Sequence, residues 1–468
     1  MGKIKFGTDG WRAVMCDQFT FANVGTVIQA IAQYLREKEA PAPILIGHDS
    51  RFLAEEFARL SAEVLAGNGI KALVVQGDLP TPVLAQGVLQ HQAAGGIMFT
   101  ASHNPYHYNG LKFIPHYGGP AHNQITQSIE RQLDQVGEVK KRPYAEAQRE
   151  GLIEEIDLGE GYEEAVASLI DWDALQKAQL HIIYDPMYGT GRKILPRLLE
   201  RGCCRVEVIH NRRDAFFGGL MPEPTGVQLG ELVEEVQRQG ADLGLATDGD
   251  SDRFGVIDAD GQYISSNQVL VLLLEHLIKH KGWRGAVVRT VATTHMLDAL
   301  AKAYGLELVE TPVGFKHICQ VMREREVIIG GEESGGLSVG PHIPEKDGLL
   351  ADLLIAELRA VAGRPLKEVL AELYAKFGSF IGKRIDLPLS PGEKERLMAK
   401  AAQIGSHWEG EEVVERIAVD GMKFILADGS WCLMRPSGTE PLVRVYLEAH
   451  TSEGLAQMEE KVRRFLGV

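Results

Sequence analysis

ADLGLATDGDSDRFG, residues 241–255, runs from a short apolar stretch into three aspartates, a serine and an arginine. The apolar part suits a buried strand, and the Gly/Asp/Ser cluster would stop it. The same arrangement recurs along the chain. APILIGHDSR (42–51) precedes the helical pattern FLAEEFARLSAEVLAGNG, and GGIMFTASHNP (95–105) repeats the ending. LHIIYDPMYGTG (180–191) leads into RKILPRLLERG, GAVVRTVATTH (285–295) into MLDALAKAYG, and REVIIGGEESGG (325–336) completes the set. Short strands alternating with helices predict βα units and mixed, largely parallel sheets. Ligands of such sheets bind beyond the carboxyl ends of the strands. All the unusual polar clusters fall there, so they are expected to face one cleft.

From about residue 378 the texture changes. GSFIGKRIDLPLS, a charged helix, a run carrying the hairpin signal ADGSW and a final helix read as α+β. The length of 468 residues asks for several cores. The expected architecture is three α/β domains, at 1–145, 146–255 and 256–371, and a smaller C-terminal α+β domain at 372–468. They would surround a central cleft.

Lys and Arg number 49 against 64 Asp and Glu, a formal charge of −15. Such a surface repels nucleic acid and anionic membranes, and no basic run exceeds KKR at 140–142. The most apolar run, VLVLLLEHLI, is too short to span a bilayer. MGKIKFGTDGW lacks the apolar stretch of a signal peptide. Five cysteines without C-x-x-C spacing fit reduced thiols. The chain is therefore expected to be soluble and cytoplasmic, with no nucleic-acid or membrane partner.

Asp248, Asp250 and Asp252 alternate, and on an extended loop alternate side chains point the same way. They can converge on one hard cation. An EF-hand is excluded, because Arg253 stands where its glycine belongs and Ala259 at the last ligand. Three carboxylates are few for calcium and suit magnesium, which shares its sphere with a phosphate. In RPSGTEP (435–441), Arg435, Ser437, Thr439 and the backbone around Gly438 form a potential anion nest. Alone, the stretch reads equally as a Pro/Gly turn. GGEESGG (330–336) offers Glu332, Glu333 and Ser334 to sugar hydroxyls or a metal, or is a solvated glycine turn. Arg12, Arg51, and Lys316 with His317 are weak signals one by one, and Arg51 could simply hold a loop. Together, Arg12, Lys112, Arg253, Lys316 and Arg435 place cations in the glycine-rich loops of an acidic chain. A small anionic substrate explains this. There is no G-x-x-x-x-G-K-[ST] phosphate loop, and GTGRK at 189–193 reads as structure.

TASHNPYHYNGLKF (100–113) sets Ser102 beside His103 without the flanking glycines of a nucleophile elbow. Adjacent side chains point apart, so a Ser–His triad between them is disfavoured. A phosphatase and a non-catalytic sugar-phosphate binder remain competing classes.

Taken in order, FGTDGWR, TASHNP with NGLKF, TDGDSDR, GGEESGG and RPSGTEP resemble the α-D-phosphohexomutase superfamily, the phosphoglucomutases and phosphomannomutases, over nearly the whole chain. The resemblance implies four domains around a deep cleft. It implies that Ser102 is a phosphoserine, with magnesium held by Asp248, Asp250, Asp252 and a phosphate oxygen on Ser102. Lys112 would be the proton-transfer partner, supported by His103 and Arg12, and Arg253 would sit beside the same phosphate. Gly314 and Lys316 belong to the family's substrate loop, and Glu332 and Ser334 to its sugar contacts. Arg435, Ser437, Gly438 and Thr439 would anchor the phosphate that is not reacting. The implied reaction interconverts glucose 1-phosphate and glucose 6-phosphate, with glucose 1,6-bisphosphate as intermediate and activator. GEESGG and ETPVGFK resemble the glucose-handling branches. Mannose enzymes more often carry Met and His at positions 333 and 336, and glucosamine enzymes Gln and His. A phosphomannomutase or dual-specificity mutase, a phosphoglucosamine mutase and a hexose bisphosphate synthase are the alternatives on this scaffold. Four domains can enclose a cleft as a monomer; a small homo-oligomer is the other option.

Overall fold

The computed structural model describes residues 4–7, 9–39, 42–437 and 442–466. Four sheets follow one another in chain order. In the first, Ile44–His48, Ala72–Val75, Gly95–Phe99 and Ile153–Ile156 run parallel, and Tyr108–Pro115 and Trp11–Val14 close one edge antiparallel. The second pairs His181–Asp185, Arg205–Val208 and Leu243–Thr247 in parallel and adds the hairpin Phe254–Asp258 and Tyr263–Ile264. The third holds Ala286–Thr290, Leu308–Thr311 and Val327–Gly331 in parallel, with Leu337–Val339 antiparallel. The fourth, from Ile381–Pro388 to Leu442–Ala449, is wholly antiparallel. Three α/β units and a C-terminal α+β unit are thus the fold.

The units end later than the texture of the sequence suggests. Ile153–Ile156 pairs with Ala72–Val75, beyond the division expected at 145. Residue 255 lies inside the strand Phe254–Asp258, and the helix Leu366–Phe377 runs past 371 against the third unit. Composition marks where a pattern changes. Sheet membership depends on which backbone a strand meets, and that is not local information.

The central parallel strands are buried on both faces, as in ILIGH at 44–48. The helix Gly348–Ala362 (GLLADLLIAELRAVA) is apolar nearly all round. It packs on the strands Leu243–Thr247 and Phe254–Asp258 of the second sheet. One core therefore runs from Leu45 and Leu84 in the first unit, through Tyr184 and Leu245, to Leu353 and Leu370 in the third. The fourth unit keeps its own core around Phe424, Val445 and Met458. It meets the third through Val291, Ala292, Trp431, Leu433 and Tyr446.

Three polar loops hold the same topological place. Residues 100–107, 248–253 and 332–336 each turn the parallel strand at one side of the array back into an antiparallel neighbour. The strand–cluster–helix reading holds after His48, where the helix Ala54–Gly67 follows. At these three loops a strand follows instead. RPSGTEP likewise begins at the end of the strand Trp431–Pro436, which pairs antiparallel with Leu442–Ala449.

Candidate active site

Ser102 is buried at the start of the first loop with φ 49°, a left-handed setting for a residue with a Cβ. The loop is held there by Arg51. Its Nη1 donates to the carbonyls of Pro105 and Tyr108 and its Nη2 to those of Ser102 and Asn104, at 2.6–3.0 Å. Asp49 balances the charge from 3.2 Å, and the guanidinium lies 4.8 Å over Phe217 of the second unit. Thr100 Oγ1 accepts the Ser102 N–H at 2.8 Å and donates to Asp49 at 2.6 Å. Arg51, weak as a signal, does hold a loop, and it is the serine's own.

The Ser102 hydroxyl donates to Asp248 Oδ2 at 2.6 Å. His103 Nδ1 is farther, at 3.4 Å. Burial, reinforced by Arg253 and Arg12, holds the His103 imidazole well below its usual range and hence neutral. The two loops approach closely because Gly249 carries no side chain: a Cβ there would lie 2.8 Å from the Ser102 carbonyl oxygen.

Asp248, Asp250 and Asp252 are buried, with one oxygen of each within 4.8 Å of the others. Burial, and then Asp250 and Asp252, push Asp248 far above the usual carboxylate range. Burial also opposes ionisation of Asp250, but Lys112 and the bond from Thr81 outweigh it and hold that carboxyl low. Asp250 Oδ1 and Asp252 Oδ1 are buried without a hydrogen-bond partner. Converging, repelling carboxylates with orphaned oxygens are a donor set that fits a small hard cation.

Cations surround the triad. Lys112 Nζ lies 2.9 Å from Asp250, 2.7 Å from Asp252 and 3.0 Å from Asp9. Burial would lower it, but these carboxylates prevail and keep it an ammonium. Lys346 contacts Asp252 at 2.8 Å and Asp9 at 3.2 Å. Its chain fills the space above Gly336, where a Cβ would lie 2.4 Å from Lys346 Cδ. Arg253 donates its N–H to Asp248 and its Nη1 to Glu223, both at 3.1 Å, while its Nε is buried without a hydrogen-bond partner. Arg12 bonds Asn104 at 2.8 Å, beside the serine.

The third unit contributes Glu332, whose Oε1 accepts the Gly314 N–H at 2.9 Å. Burial, with Glu333 second, pushes its carboxyl up to about 7. Ser334 is half-buried in the same turn. Glu333 faces away, into a cavity of about 530 Å³ between the third and fourth units that also meets Arg384, Trp431 and Tyr446. Lys316 reaches Asn123 of the first unit at 2.7 Å. From the fourth unit, Arg435 pairs with Asp420 at 2.7 Å, and Ser437 is buried in its turn. Gly438 and Thr439 lie outside the described residues.

Family models for the four domains of phosphoglucomutase/phosphomannomutase match residues 3–140, 160–261, 265–377 and 393–465, the last as the C-terminal domain. The chain belongs to this family. It is 30% identical to a phosphoglucomutase/phosphomannomutase of Thermococcus kodakarensis, over 100% of this chain and 97% of that protein. It is 31% identical to a phosphoglucosamine mutase of Caldicellulosiruptor bescii, over 98% of each. A solved structure from Thermus thermophilus, under a phosphomannomutase name, matches with a TM-score of 0.87 at 33% identity over 100% of both chains. The chain is thus a phosphohexomutase-family isomerase of sugar phosphates. Among the described residues no helix is long and apolar enough to cross a membrane.

Several site residues escape sequence reasoning. Lys346 stands in EKDG, a charged run resembling any solvated turn. Asp9, Thr81, Glu223 and Asp420 acquire partners only through folding, Thr81 meeting Asp250 across 169 residues. The one local hint is that Asp9 stands within FGTDGWR.

Proposed function

We propose that the chain is a phosphoglucomutase working through phosphoserine at Ser102. The observation that carries this reading is the Ser102 hydroxyl 2.6 Å from Asp248, at the edge of a buried triad with two orphaned oxygens. Magnesium held by Asp248, Asp250, Asp252 and a phosphate oxygen on Ser102 would neutralise charge on the transferring phosphoryl group. The rest is the work of side chains. The Oγ–P bond breaks as a sugar hydroxyl oxygen bonds to phosphorus, giving glucose 1,6-bisphosphate, while the proton lost by that hydroxyl passes to the departing Ser102 Oγ. The bisphosphate then reorients, and its other phosphoryl group returns to Ser102. In that return step the Ser102 hydroxyl loses its proton as Oγ bonds to phosphorus, and the departing sugar oxygen gains one. The Lys112 ammonium would relay it, giving its proton to the sugar oxygen and regaining one from the serine. His103 and Arg12 brace the serine loop, and Arg253 presents its unpaired Nε edge to phosphate. Glu332 and Ser334 hold sugar hydroxyls, Gly314 and Lys316 border them, and Arg435 and Ser437, with Gly438 and Thr439, grip the far phosphate.

Glucose is favoured by the likeness of GEESGG and ETPVGFK to the glucose-handling branches. Where the mannose and glucosamine branches tend to carry histidine at position 336, this chain has no side chain and fills the space with a lysine from another loop. The five cysteines are all free thiols, which supports a reducing, cytoplasmic setting. The loops converge within one chain, which supports a site complete in a monomer.

The test is conversion of glucose 1-phosphate with magnesium, primed by trace glucose 1,6-bisphosphate, beside mannose and glucosamine 1-phosphates. Fast primed conversion of glucose is expected, and excess chelator should stop it. Preference for another sugar would replace glucose in this reading, and net accumulation of bisphosphate would make the chain a synthase. Ser102→Ala should lower turnover at least about 10⁴-fold while calorimetry still detects hexose-phosphate binding. Full activity in that variant would remove the phosphoserine.

A further inference from the structure

Asp420 stands in the turn between the strands Glu411–Ile417 and Met422–Leu426 of the fourth sheet. Its Oδ2 accepts from Arg435 Nε at 2.7 Å and from the Val313 N–H at 3.1 Å. One oxygen therefore touches two domains. Val313 directly precedes Gly314, whose own N–H is held by Glu332. The contacts form an unbroken line from the phosphate turn of the fourth unit to the sugar turn of the third.

We propose that Asp420 is a positioning residue that latches the phosphate-gripping domain to the sugar-binding loop. The proposal rests on Arg435 being the phosphate anchor. A carboxylate on Nε fixes the guanidinium plane and leaves its terminal nitrogens as the edge offered to a phosphate. The bond to Val313 is made only when the fourth unit is seated on the third. That unit has a separate core and meets the third through an apolar seat and the bonds of Lys423 to Val291 and of His295 to Glu448. The Asp420 bond adds a contact that ties Arg435 itself to the loop of the third. Gripping the far phosphate and closing over the sugar thereby become one event. The latch also retains a bisphosphate while it reorients.

Asp420→Ala and Asp420→Asn test this by two independent readouts. The first is amide deuterium exchange at Val313, which needs no turnover. Asp420→Ala should speed that exchange about tenfold, whereas Asp420→Asn, which keeps an accepting oxygen, should preserve most of the protection. The second is kinetic. In Asp420→Ala, KM for glucose 1-phosphate should rise about tenfold, more than kcat falls. The variant should also need more added bisphosphate for full rate, because the intermediate escapes. Unchanged Val313 exchange in Asp420→Ala would overturn the latch. A fall in kcat alone, with KM and bisphosphate requirement unmoved, would also overturn it by marking a merely structural role. If the wild-type chain turns over no hexose phosphate, the reading of function fails, while Val313 exchange still decides the latch.

Discussion

Glu332 carries a carboxyl that titrates within the working range of an enzyme. Burial, then Glu333, raise it from its ordinary 4.5 to about 7. Between those values the folded chain keeps a proton that the unfolded chain has lost. The associated stability is full below about 4.5 and is lost as pH rises through about 7. Glu332→Gln should flatten that part of the stability–pH profile, removing roughly 2–3 kcal/mol of difference between about pH 5 and about pH 8 in denaturant unfolding. Binding would run the other way under the proposed role, in which the ionised form accepts from sugar hydroxyls. KM of the wild type should fall as pH rises through about 7, and KM of the variant should not follow.

The elements that carry chemistry are turns, and their precision comes from backbone contact between them. Gly249→Ala would press a methyl group against the Ser102 carbonyl, 2.8 Å away. One turn would have to retreat from the other. The expected result is a fall in kcat of about 10²-fold with little change in melting temperature; an active variant would mean the two turns can slide freely. How much of this was legible in sequence depends on how local each constraint is. The alternation of Asp248, Asp250 and Asp252 is a property of a few consecutive residues, and it leads directly to a cation-shaped cluster. The strand that follows each turn was less legible. YNGLKFIP and FGVID carry no sign that they run antiparallel, because direction is set by the neighbouring strand. Arg51 looks like any arginine after a strand, yet four carbonyls depend on it. Lys346 and Asp420 reach their partners across domain boundaries, where no periodicity points.

At the scale of the whole molecule, the first three units share a core and the fourth is attached by its seat. Lys423 is buried in that seat, donating to the Val291 carbonyl at 2.8 Å and lying 4.1 Å over Trp431. Burial, helped by Arg289, lowers its amine from 10.5 to about 8. A depressed lysine contributes stability that is present above about 10.5 and lost as pH falls through about 8. The fourth unit should therefore sit more firmly at about pH 9 than at about pH 7, by roughly 1 kcal/mol. Thermal unfolding followed by Trp431 fluorescence should show this, and Lys423→Met should abolish the dependence. A wild-type profile as flat as the variant's would mean the lysine titrates elsewhere. The pairing of Gly336 with Lys346 also reaches beyond its own unit. The aspartate loop and the turn at 332–336 hang from different sheets and are joined by Lys346 on Asp252 and by the bond from the Phe254 N–H to the Gly335 carbonyl. Lys346, which fills the space above Gly336, also pairs with Asp252 at 2.8 Å, so replacing it would disturb the aspartate cluster as well as the turn it covers.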